Sequence, residues 1–135
     1  MKIATTIEEF YPYVQNAAEA VKAYEGTGFK YLDYSFFDSV IKPEISPLLT
    51  DDWKEHVLKA KEAADEHGFT FVQAHAPLGR PLLENGSNTE FVKFTKRSIE
   101  AAGYLGIPNI VVHTGYLPNI SKEENFRRNK IFYEE

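Results

Sequence analysis

Three segments of the chain open alike: GFKYLDYSF from Gly28, GFTFVQAHAP from Gly68 and GIPNIVVHTG from Gly106. Each is a glycine, then an apolar residue, then a short run rich in β-branched and aromatic side chains. Glycine is favoured just beyond a helix C-terminus because it enters left-handed backbone without a Cβ penalty. Each segment therefore marks the end of a helix and the start of a strand. The glycines at 28, 68 and 106 recur at intervals of 40 and 38 residues. A βα unit needs roughly 30 residues, so this period describes one such unit with long loops. Four units fill the 135 residues. Parallel strands need a crossover between them, usually a helix, so this alternation predicts an α/β chain with four parallel strands, either half of an eight-unit barrel or a small open doubly wound sheet.

Periodicity fills in the elements. A first strand is expected over Lys2 to Ile7, then a helix through Val14, Ala17, Ala18, Val21 and Tyr24, stopped by Gly26 and Gly28. The second strand is Tyr31 to Phe36. A loop with Pro43 and Pro47 leads to a helix capped by Thr50 or Asp51, with Trp53, Val57, Leu58 and Ala64 facing inward and Gly68 ending it. Thr70 to Ala74 is the third strand, and the glycines and prolines of PLGRPLLENGSN end it. Asn88 is expected to cap a third helix that buries Phe91, Phe94 or Thr95, Ile99, Ala102 and Leu105, before a fourth strand over Asn109 to Val112. Ser121, three residues before Glu124, reads as a capping box for a last helix.

Composition narrows the functional classes. At 43% hydrophobic residues one domain, residues 1–135, can bury a core. The chain has no cysteine, so disulfides and thiolate metal sites are excluded and any metal must take imidazole and oxygen ligands. No apolar run approaches the ~20 residues of a membrane span, and MKIATTIEEF lacks a secretory profile. A cytoplasmic protein without a membrane partner is the expectation. With 15 basic against 20 acidic residues the formal charge is −5, and the basic residues cluster only from Arg127 to Lys130. A nucleic-acid partner, which demands a basic face, is disfavoured.

Placed on this frame, His75 falls at the carboxyl end of the third strand and His113 at the same end of the fourth, 38 residues later. Ligands of parallel α/β folds bind on that face, where loops and helix N-termini converge. A single histidine at a strand end is most often satisfied by a nearby backbone group. Two in register on adjacent strands, flanked by small residues (Ala74 and Ala76; Thr114 and Gly115), point to a shared binding mouth. His56 and His67 fall in the second helix and read as solvated helix residues. Asp33 and Ser35 share one strand face, because side chains alternate, and with Asp38 they are placed to meet a polyol hydroxyl. Arg80, in the loop after His75, is the best-placed cation for a phosphate or carboxylate, and Tyr116 is placed to wall a pocket.

The segments GFKYLDYSF, AHAP, and AAGYLGIPNIVVHTGY followed by ENFRRN together resemble the amino-terminal half of the xylose isomerase-like TIM-barrel superfamily. That group includes sugar phosphate isomerases and epimerases, inosose dehydratases, hydroxypyruvate isomerases and abasic-site endonucleases. The resemblance covers nearly all of this chain and about half of the family domain. It implies half of a TIM (β/α)8 barrel, since eight units typically need ~250 residues. In the endonuclease branch, histidines matching His75 and His113 bind zinc. In the sugar branch, strand-end residues at these positions more often line the sugar pocket, and one divalent ion (Mn, Mg, Co or Zn) is held by Glu, Asp, His and Glu of the last four strands. Those strands are not encoded here.

The resemblance therefore implies a metal-dependent sugar or sugar phosphate isomerase or epimerase as the parent activity, with this chain a fragment that is inactive or impaired alone. Its small-molecule partner is a sugar or sugar phosphate. His75, His113, Asp33, Arg80 and Tyr116 are the expected binding residues, and His75 with His113 could also hold a divalent ion weakly, water completing its shell. Two other readings follow. One is a zinc phosphodiesterase of the abasic-site endonuclease type, supported by the two histidines and opposed by the acidic charge. The other is a noncatalytic half-barrel that forms a homodimer through the exposed edges of its first and fourth strands.

Overall fold

A computed structural model describes residues 3–37, 45–79, 82 and 87–134. It contains four strands, β1 (Ala4–Thr6), β2 (Tyr31–Ser35), β3 (Thr70–His75) and β4 (Ile110–Val111), and four α-helices, α1 (Ala17–Lys22), α2 (Trp53–Glu66), α3 (Ser87–Leu105) and α4 (Lys122–Glu134). The strands form one parallel sheet in the order β1-β2-β3-β4. This is the α/β half-barrel expected from the repeat, with each neighbour in sequence also the neighbour in space.

The glycine signals have a common physical origin at two of the three positions. Phe69 N–H donates to Ala64 C=O (2.8 Å) and Gly68 N–H to Asp65 C=O (3.4 Å), with Gly68 at φ 71°. At the end of α3, Ile107 bonds Ala102 (2.9 Å) and Gly106 bonds Gly103 (3.1 Å), with Gly106 at φ 70°. These paired bonds are Schellman motifs, and the apolar residue after each glycine, Phe69 or Ile107, is buried as the motif favours. One motif thus ends the helix and starts the chain into the next strand. Gly28 works differently. Helix α1 stops at Lys22, and turns through Gly26 (φ 77°) and Gly28 (φ 85°) carry the chain to β2.

Other boundaries also moved. Strand β1 ends at Thr6, whose hydroxyl caps a 3-10 helix over Ile7–Tyr13, so Ile7 and Val14 lie outside the strand and helix expected for them. Asn16 caps α1 by accepting from Glu19 N–H (3.0 Å). Asp52, one residue beyond the expected caps, precedes α2 without a side-chain capping bond. Asn88 lies within α3, which begins at Ser87. Ser121 does cap α4, accepting from Glu124 N–H (3.1 Å), but the Glu124 carboxylate turns to Arg127 and Arg128 instead of closing a capping box.

The helices cover one face of the sheet. Their buried stripes run Trp53, Val57, Ala60 and Ala64 on α2, and Phe91, Phe94, Ser98, Ala102 and Leu105 on α3. Leu58 and Ile99, both expected inside, are 36% and 50% exposed. Each sits one residue, about 100° of helix rotation, from a stripe that its neighbour completes. Against these stripes pack Leu32 and Tyr34 from β2, Phe36 just beyond it, and Phe71 and Ala74 from β3. Burial pushes the Tyr34 phenol pKa up to about 12, an effect a hydrogen bond with Ser46 partly offsets.

Phe71 and Ala74 are three residues apart, yet strict alternation would put them on opposite faces. The β2–β3 register explains this. Leu32 pairs with Phe71 and Asp33 with Gln73, so Val72 is an extra residue opposite the Leu32–Asp33 step. Such a bulge resets which face each later side chain occupies. Phe71 and Ala74 both join the helix layer, and Gln73 and His75 turn to the opposite face beside Asp33 and Ser35.

The glycines give variants of opposite sign. A Cβ at Gly68, Gly106 or Gly103 meets nothing within 4 Å, so only backbone conformation matters. Gly68→Ala and Gly106→Ala force a side chain into left-handed backbone and are expected to cost about 1 kcal/mol. Gly103→Ala, inside α3, is expected to gain up to about 1 kcal/mol. Urea unfolding of the three variants checks the contrast.

Candidate functional site

The face opposite the helices is polar at the carboxyl ends of the strands. Just past β1, Glu8 accepts from the Ser35 hydroxyl (Oγ to Oε2, 2.7 Å). Ser35 in turn accepts from Phe37 N–H (3.2 Å), and the Tyr11 hydroxyl donates to its carbonyl (3.1 Å). Next in the row, Asp33 accepts from Gln73 Nε2 (2.7 Å) and lies 3.0 Å from His75 Nδ1 through each carboxylate oxygen. The His75 and His113 rings stack with centroids 6.0 Å apart and planes at 23°. The two histidines inferred from the repeat therefore lie side by side at the carboxyl ends of the strands.

The Asp33–His75 contact fixes the chemistry of the imidazole. An ionised carboxylate only accepts hydrogen bonds, so Nδ1 carries the hydrogen and the neutral ring keeps an unprotonated Nε2. Asp33 is 9% exposed at its side chain and His75 35%. A buried carboxylate thus orients a ring that remains open to solvent. The free Nε2 can accept a hydrogen bond from a hydroxyl, take a proton, or ligate a metal. Among the described residues no three His, Cys, Asp or Glu side chains converge on one point. Two stacked imidazoles and a carboxylate already engaged by Gln73 and His75 do not complete a metal site by themselves.

His113 lies just beyond β4, in a segment held by α4. The Tyr133 hydroxyl donates to His113 C=O (2.5 Å). Asn129 bonds both backbone groups of Gly115, and Asn125 both of Leu117. Burial raises the Tyr133 pKa above its ordinary 10.0, so the hydroxyl keeps the proton it donates. On the outer side of α4, hydrogen bonds from Arg127 and then Arg128 lower the Glu124 pKa from 4.5 to about 2.

Among the other expected site residues, Arg80 and Asp38 lie outside the described residues. Tyr116 is 74% exposed, and no ring contact joins it to the histidine pair among the described residues. His56 bonds Asp52 on the surface of α2, and His67 directly follows that helix, stacked on Phe69. Glu8, Gln73, Asn125, Asn129 and Tyr133 were not anticipated. Gln73 could have been read, since it precedes His75 by the two residues that place side chains on one strand face.

A parallel half-barrel with its polar groups at the strand ends is the class defined by this geometry. The xylose isomerase-like TIM barrel family matches residues 19–130, and the chain belongs to that family. Two solved structures are similar in fold. A candidate xylose isomerase from Rhodospirillum rubrum ATCC 11170 superposes with a TM-score of 0.67 at 14% identity, covering 99% of this chain and 46% of that one. The 3-keto-D-glucoside 4-epimerase YcjR of E. coli, in its apo form, gives 0.66 at 20% identity, covering 99% and 49%. The chain thus spans about half the length of these structures. No curated protein sequence matches it. No helix among the described residues is long and apolar enough to cross a membrane.

Removing the Asp33 carboxylate strands two donors, Gln73 Nε2 and His75 Nδ1. Asp33→Ala is expected to cost about 1–3 kcal/mol, and Asp33→Asn less because its amide oxygen still accepts one bond. Denaturant midpoints of the two variants rank the losses. The Glu124 pKa is depressed on folding, so its contribution is complete above about pH 4.5 and disappears as the pH falls towards about 2. Helical circular dichroism is expected to decline over that window, and Glu124→Gln to remove that part of the decline.

Proposed function

We propose that this chain forms one side of the mouth of a sugar or sugar phosphate isomerase or epimerase, and that its strand-end residues bind and orient the sugar. The observation that carries this reading is the Asp33–His75 pair beside His113. It presents an acceptor nitrogen, fixed in tautomer, next to a second imidazole on the ligand-binding face of the fold. A sugar offers a row of hydroxyls, and a row of fixed acceptors and donors discriminates among their arrangements. Glu8, Ser35 and Gln73 extend the row across the strands. The family membership and the sugar epimerase among the similar structures support the same class.

In this reading His75 Nε2 accepts from a sugar hydroxyl, and Asp33 stabilises the ring whenever it takes up that proton. A divalent ion, expected from the resemblance, would polarise the sugar oxygens when bound. The described residues supply it with at most the two imidazoles. The proton transfer between carbons falls to groups other than these. In the second reading, a homodimer, two copies join through β1 and β4, the two outer strands of the sheet, and place four histidines around one mouth.

Titration of the imidazole proton signals with neutral sugars, sugar phosphates and a short abasic DNA duplex tests the proposal. Sugars are expected to shift His75 and His113 together, and His75→Ala to weaken binding about 2–10-fold, the worth of one hydrogen bond. Signals that respond only to the duplex would transfer the chain to the phosphodiesterase class. Signals indifferent to all three, with sedimentation as a dimer, would favour the noncatalytic half-barrel.

A further inference from the structure

We propose that Asn125, Asn129 and Tyr133 of α4 are positioning residues for His113, acting as a surrogate strand that fixes the backbone carrying its ring. The three residues are spaced by four along one helix face. They read the backbone at Leu117, Gly115 and His113, spaced by two in the opposite direction. Four helical residues rise about 6 Å and two extended residues about 6.6 Å, so the two repeats stay in step.

The bonds themselves mimic a strand pair. The Asn129 side-chain amide accepts from Gly115 N–H (2.7 Å) and donates to Gly115 C=O (2.8 Å). Asn125 does the same with Leu117, at 2.8 and 2.9 Å. Each side-chain amide thus exchanges two hydrogen bonds with one backbone residue, as opposed residues do in an antiparallel ladder. Both asparagines are buried, at 6% and 9% exposure, where an unmet amide is costly. Asparagine is also a weak helix former, so two within one helix reflect what their side chains bond.

The consequence falls on His113. On one side Val111 is held in the sheet, its carbonyl accepting from Ala76 N–H (2.9 Å). On the other, Gly115 is held by Asn129, and the His113 carbonyl itself by Tyr133. His113 lies between two anchors, each two residues away, and this keeps its ring stacked on His75. The inference rests on the reading of His113 as a mouth residue, but its test uses no ligand, so a failure of sugar binding leaves it standing.

The test is the through-space proton contact between the His75 and His113 rings, measured in the full chain and in Tyr133→Phe and Asn129→Ala. The intact chain is expected to show the contact. Tyr133→Phe removes only a hydroxyl and is expected at least to halve it, and Asn129→Ala to abolish it, with the amide spectrum of β1 to β3 unchanged. A ring contact of full strength in folded Asn129→Ala would overturn the proposal, leaving α4 as a cover that merely adds stability. Should Asn129→Ala fail to fold, Tyr133→Phe decides alone: a weakened contact supports positioning, and an unchanged contact overturns it.

Discussion

The pairing of Asp33 with Gln73 and His75 across β2 and β3 decides which chemistry this face of the sheet presents, and a bulge at Val72 absorbs the residue that would otherwise break it. Strand side chains alternate, so a shift of one residue exchanges the two faces. Counted back from Phe71, which lies in the helix layer, strict alternation would send Gln73 and His75 into that layer and Ala74 to the mouth. The bulge reverses this assignment. Ala74 then fits, fully buried, under the helices, and His75 reaches Asp33. A methyl goes where space is short and a titratable ring where solvent enters.

The polar cluster around Asp33 follows from this placement. Asp33 would be a buried carboxylate without compensation if Gln73 and His75 turned away, and such a group is expensive. With both beside it, the carboxylate is satisfied, and its requirement for donors sets the His75 tautomer. The cost of burying one charge is thereby coupled to the orientation of the ring that faces solvent. From the other direction, α4 and β4 bring His113 to the same ring, so the histidine pair is assembled by two independent supports. One is a strand irregularity and the other a helix that pairs with extended backbone.

The sequence was legible where one residue type has one conformational use. Gly68 and Gly106 announced their helix ends because left-handed backbone after a helix excludes most other residues, and the next apolar residue completes the same motif. The repeat built on them placed His75 and His113 in register, and the rings do meet. Signals with several uses were read less well. Gly28 follows a turn with another left-handed glycine, so it marked the wrong helix end. Leu58 and Ile99 fit an apolar periodicity that alanine and serine satisfy instead, because closely packed helices favour small residues at the contact. Asn125 and Asn129 look like ordinary solvent-facing helix residues. Their partner is backbone, which carries no sequence signature at Gly115 or Leu117. The Val72 bulge is equally silent, since VQAH alternates acceptably in either register.

The imidazole proton–nitrogen spectrum of His75, recorded on the neutral ring in the intact chain and in a chain lacking Val72, tests its pairing with Asp33 most directly. The account predicts an Nδ1–H, Nε2-unprotonated ring in both. Deleting the extra residue makes the β2–β3 ladder continuous and leaves residues from Gln73 onward facing as before. A ring that carries its proton on Nε2 in the intact chain, or that loses the Nδ1 proton when Val72 is removed, would contradict it.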